Sequence, residues 1–172
     1  MASPTAIAQA HTSSDITAVP SFAYGNCGTI LVYCATAHIP SDDDFQLWLT
    51  RLRKYDFDGL MVYAEYNGGL SPQQRQALAR CWEGQVVPGT VMMTDSAIAR
   101  GVLTAMRWLI PKCKRVEAVP LHDFSGAATA LGVPEASEAL LLLVMKLRAM
   151  CRASCPAAAC PVDDKVNRTK GR

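Results

Sequence analysis

The chain has 172 residues, 50% hydrophobic and 19% charged, which suits one domain with tails and a core of useful size. Its 17 basic and 15 acidic residues leave a net charge of +2, which argues against a dedicated nucleic-acid binder with a concentrated basic face. The longest apolar run, ALLLLVM at 139–145, falls far short of the roughly 20 residues that a membrane-spanning helix needs, so no membrane span is expected.

Residues 1–20 are rich in Ala, Ser and Thr and lack periodicity; they read as a disordered tail. The first residues have neither a basic start nor an apolar signal core, so no secretion signal is read and a reduced cytoplasmic setting is expected. SFAYGNCGTILVYCAT then reads as two strands around a turn at Gly25-Asn26. IPSDDDFQLWLTRLRKY is a helix. Ser41 is its N-cap, and Asp42, Asp43 and Asp44 match the helix dipole in the first turn. Phe45, Trp48, Leu49 and Leu52 recur at helical spacing as its buried face.

DGLMVYAEY is an unbroken apolar run, as expected of a central strand covered on both sides. After the loop NGGLSP comes a second helix. Ser71 caps it, Pro72 takes its first position and Gln74 completes a capping box; Gly84 ends it. PGTVMMTD is a strand, and SAIARGVLTAMRWL is a third helix with Ile98, Val102, Ala105 and Leu109 along one stripe. KRVEAV is a short strand. HDFSGAATALG is a short helix with Asp123 as cap and Gly132 as its end.

Strands thus alternate with helices after an opening hairpin. The expected fold is α/β, a mixed sheet of about five strands with helices packed on it, over residues 21–133. PEASEALLLLVMKLRAMCR adds a further helix over 134–152, apolar nearly all round. Such a helix must be covered on more than one side, either by the open face of the sheet or by a second copy or partner. Residues 153–172 read as a second disordered tail. Of the seven cysteines, Cys151, Cys155 and Cys160 form C-x3-C-x4-C, which fits no known zinc spacing and has no histidine nearby. No metal and no cofactor is expected.

The segments GGLSPQQRQAL and VMMTDSAIARGVLTAMRWL, with a later helix ending ALGV, carry a family pattern. The matching positions are Gly68, Gly69, Pro72 and Arg75, then Asp95, Ser96, Arg100 and Gly101, then Trp108, Leu131 and Gly132. Over about residues 22–133 the chain resembles the bacterial SpoIIAA-like, or STAS/SEC14-like, proteins. The resemblance implies a mixed α/β sheet in a module that binds a regulatory protein or a small anionic or lipidic ligand and performs no chemistry. It also implies a serine that is phosphorylated to switch partner binding, at the position of Ser96. The anti-sigma-factor antagonists among these proteins tend to have a second serine and a glycine next, where this chain has Ala97 and Ile98.

The residues themselves leave three roles open for Ser96: a helix cap, a phosphorylation site or a nucleophile. The last lacks support, because His11, His38 and His122 offer no paired base and the G-x-S-x-G elbow is absent. Arg100, one turn on, either bonds Asp95 or a carbonyl or clamps an anion with the free helix amides. Loops after successive parallel strands gather at one sheet edge, so Gly68, Gly69, Arg75, Asp95, Ser96 and Arg100 form the candidate binding site. The alternatives are a small enzyme acting on a phosphorylated or carboxylated substrate, and a structural homodimer through residues 134–152.

Overall fold

The computed structural model describes residues 16–54, 56–65, 70–83, 88–109 and 116–154, with the backbone alone at 102 and 105–109. Strands β1 (Thr17–Val19), β2 (Phe22–Cys27) and β3 (Ile30–Ala35) pair antiparallel; β3, β4 (Gly59–Ala64), β5 (Gly89–Met93) and β6 (Val116–Val119) pair parallel. The sheet is six-stranded and follows chain order from β1 to β6. The fold is therefore α/β with a mixed sheet, as expected.

Two details correct the sequence reading. The sixth strand, β1, falls inside the stretch read as the tail 1–20; Thr17 pairs with Tyr24 and Val19 with Phe22. Three residues are too few to show a periodicity; β2 and the packing of Ala18 against the α5 side of the core hold them in place. The hairpin turn also lies later than Gly25-Asn26. Those two residues sit within β2, opposite Val32 and Leu31, and the chain reverses at Gly28-Thr29, where Gly28 has φ 57°. Gly28 supplies the left-handed backbone, whereas Gly25 supplies clearance. A Cβ at Gly25 would lie 3.1 Å from Ile16 Cγ1 and 3.6 Å from Leu143 Cδ1.

Helices cover both faces, because the strands alternate apolar residues to each side. On one face α1 (Asp42–Leu52) lays Phe45, Trp48, Leu49 and Leu52 against Phe22, Tyr24, Leu31, Tyr33 and Leu60. The Tyr33 and Trp48 rings are 4.4 Å apart. The end of α2 (Pro72–Cys81) joins this core through Cys81. α3 (Ala97–Leu109) connects β5 to β6. Ile98, placed on its apolar stripe by spacing, is 81% exposed.

On the other face lie α4 (Phe124–Ala130) and, after one 3-10 turn (Pro134–Ala136), α5 (Ser137–Ser154). α5 buries Leu140, Leu143, Val144, Leu147 and Cys151 against Ala23, Val32, Cys34 and Met61. Covering the sheet was one of the two readings of this helix, and the packing bears it out. Each buried leucine or valine contributes about 1.5–3 kcal/mol, against which stands the entropy cost of ordering the helix. α5 is one wall of the core rather than an appendage to it. Among the described residues no helix is long and apolar enough to cross a membrane.

Candidate functional site

Parallel pairing sends the segments after β3, β4, β5 and β6 out at the same edge of the sheet. Each leads into a helix whose first turn is capped by a side-chain oxygen. Ser41 Oγ accepts from the Asp44 amide at 3.1 Å, and Ser71 Oγ from the Gln74 amide at 3.1 Å. Ser96 Oγ accepts from the Ala99 amide at 3.2 Å, and Asp123 Oδ1 from the Gly126 amide at 2.8 Å. All four caps fall where the sequence places them. Each stabilises its helix by about 1 kcal/mol. The edge therefore gathers the positive ends of several helices, a setting that favours an anion.

Gln74 ties two of these helix starts together. Its Nε2 donates to the Pro40 carbonyl at 2.9 Å and to Asp42 Oδ1 at 3.2 Å, while its Oε1 accepts from the Ser71 amide at 3.1 Å. The side chain is only 4% exposed. A local capping-box reading finds the Ser71 bond; the bonds to the α1 side need the fold.

Thr94 organises the junction between β5 and α3. It is buried, and its amide donates to the Val119 carbonyl at 2.9 Å. Its Oγ1 accepts from the Ser96 amide at 3.2 Å, and its carbonyl accepts from Arg100 Nη1 at 2.9 Å. Of the two structural partners foreseen for Arg100, it thus takes a carbonyl. Asp95 instead accepts from the Leu121 amide at 3.1 Å. The result is a braced turn, with Ser96 partly buried and Asp95 exposed.

The six residues expected at the site are thus distributed unevenly. Asp95, Ser96 and Arg100 share the turn after β5. Arg75 lies in the first turns of α2, exposed, with its Nη1 2.8 Å from the Leu70 carbonyl. Among the described residues no hydrogen bond or ion pair joins Arg75 to Asp95, Ser96 or Arg100. Gly68 and Gly69 lie outside the described residues.

Sequence reasoning missed a group reaching this edge from α5. Arg148 Nη2 lies 2.8 Å from Glu65 Oε1 and 2.6 Å from Oε2, and its guanidinium sits 5.6 Å from the centre of the Tyr63 ring. Tyr63 stacks on Phe124 with ring centres 6.2 Å apart. Burial raises the Tyr63 hydroxyl pKa, with Arg148 opposing the shift. Beneath it, burial pushes the Cys34 thiol up to about 12, with Cys151 adding to the shift. A thiol held protonated in this way is a core group and a poor nucleophile. Among the described residues no three of His, Cys, Asp and Glu are placed to hold a metal ion. Cys151 of the tail motif is buried in the core, and Cys155 and Cys160 lie outside the described residues.

No protein-family model, curated protein or solved structure matches this chain.

Proposed function

We propose that the chain is a non-enzymatic bacterial module of the STAS, or SpoIIAA-like, kind that works in the cytoplasm. It binds a regulatory protein or a small anionic or lipidic ligand at the edge bearing Arg75, Asp95, Ser96 and Arg100, and Gly68 and Gly69, which precede α2 in the sequence, belong to the same proposed site. Phosphorylation of Ser96 switches that binding.

The observation that carries the reading is the position of Ser96. Its hydroxyl caps the N-terminus of α3, and Arg100 lies one turn on. A phosphate there adds roughly two negative charges where the helix dipole favours them. Arg100 then has a phosphate oxygen to take in place of the Thr94 carbonyl, a stronger, charge-assisted bond. The mixed sheet, antiparallel at its start and parallel afterwards, agrees with the resemblance in the sequence.

The enzymatic alternative, a small enzyme acting on a phosphorylated or carboxylated substrate, gains no comparable observation. The Ser96 hydroxyl is engaged as a cap, and His122 makes no hydrogen bond to it among the described residues. Native mass spectrometry of the full chain purified from its own host tests the proposal. Phosphate localised to Ser96, or a retained anionic ligand or protein partner, is the expected result. A bare and unmodified chain in every growth phase overturns it.

A further inference from the structure

The outward side of α5 carries one continuous stripe. Leu142 and Met145 are 59% and 57% exposed, and Leu141 is 39% exposed. At roughly 100° per residue, Glu138, Leu141, Leu142, Met145, Ala149 and Arg152 fall within about a third of the helix circumference. All six are exposed, while Leu140, Leu143, Val144, Leu147 and Cys151 on the inner side are buried against the sheet. The stripe is apolar in the middle, acidic toward the N-terminus and basic toward the C-terminus.

That polarity selects the occupant. Glu138 and Arg152 each stand seven residues from Met145, since 145 − 138 = 7 and 152 − 145 = 7. A second α5 laid antiparallel across a two-fold axis at Met145 sets Glu138 against the partner's Arg152, and does so twice. The same operation sets Leu141 against the partner's Ala149, a large residue against a small one, and Met145 against the partner's Met145. A parallel arrangement would instead place Glu138 beside the partner's Glu138. Isologous two-fold contacts need this kind of self-complementarity. Three neighbouring large apolar side chains in water supply the reason to associate.

We propose that the outer stripe of α5 is the interface of an antiparallel homodimer centred on Met145. The stripe lies on the solvent side of a helix whose inner side is core, so the dimer forms from already folded chains.

Sedimentation equilibrium on the full-length chain tests this. The wild type is expected to be a dimer. Met145→Asp is expected to weaken association at least tenfold. Glu138→Arg and Arg152→Glu each weaken it, and the double swap, which restores the opposite charges, recovers association to within a few fold. Circular dichroism and the thermal midpoint report folding in each variant; if Met145→Asp disturbs the fold, the charge-swap pair still decides. A monomeric wild type, a dimer indifferent to Met145→Asp, or a double swap that is no better than either single change overturns the proposal. Weak association of all three charge variants alike would mean that the helices do not meet antiparallel.

Discussion

Gln74 Nε2 donates to the Pro40 carbonyl at 2.9 Å, so the start of α2 is anchored to the loop that begins α1. The bond is buried, and the same side chain closes the capping box of its own helix. It fixes the spacing between two of the helix starts that make up the candidate edge. The Arg148–Glu65 pair also reaches this edge, but its side chains are 30% and 31% exposed. Solvent screening leaves such a pair worth about 0–1 kcal/mol. The neutral, buried amide is therefore the stronger structural tie.

Gln74→Ala should destabilise the chain by about 1–3 kcal/mol, because it leaves the Pro40 carbonyl without its donor in a buried setting. Ser41→Ala removes a cap that faces solvent and should cost about 1 kcal/mol or less. Urea denaturation of the two variants ranks them. If the Ser41 variant loses more, the tie between the helix starts is not what holds the edge.

Leu147 is fully buried between α5 and the sheet, within 3.7 Å of where a Gly25 Cβ would stand. Leu147→Ala should cost about 2–5 kcal/mol, the range for emptying a packed core position. A chain ending at residue 133 should lose cooperative unfolding altogether, since α4 alone is then left to cover that face of the sheet. A cooperative melt from that truncated chain would show that α5 is dispensable.

Cys34 gives the stability a pH signature. Burial moves its thiol from the ordinary 9.0 up to about 12, so folding favours the protonated form. In the unfolded chain the thiol ionises near its ordinary value. Its contribution is therefore complete below about pH 9, and is lost as pH rises from there toward about 12, where the unfolded state binds fewer protons. Tyr33, whose hydroxyl pKa is also raised by burial, acts in the same direction at still higher pH. Denaturation curves from about pH 7 to about pH 10 should show stability falling above pH 9, by up to about 1.4 kcal/mol per unit for this group. The fall should be shallower in Cys34→Ala. An equal slope in both chains would assign the loss to other groups.

Local signals were readable in the sequence, and distant ones were not. Ser41, Ser71, Ser96 and Asp123 declare themselves because a cap needs only an oxygen and an amide three residues on. The central place of β3 and β4 shows in their unbroken apolar runs. β1 and the Gly28-Thr29 turn did not show, since register within β2 is decided by its neighbours. Ile98 sits at a plausible helical spacing yet faces solvent, because spacing finds a stripe without saying what covers it. Thr94 donates its amide to Val119 of another strand, and Arg148 meets Glu65 across 83 positions of sequence. Neither contact leaves a mark within a short window of residues. The candidate site was thus legible as a turn, Asp95 to Arg100, but not as the braced junction that holds it.

Under the proposed function, the charge state of Ser96 governs binding at this edge. The most direct measurement compares wild type, Ser96→Ala and Ser96→Asp, full-length, for the affinity of the partner or ligand that the wild type retains. The alanine chain is expected to bind within a few fold of wild type, while the aspartate chain, with its added negative charge at the start of α3, differs from it by about tenfold or more. Equal binding by the alanine and aspartate chains would contradict it and leave Ser96 as the cap of α3 alone.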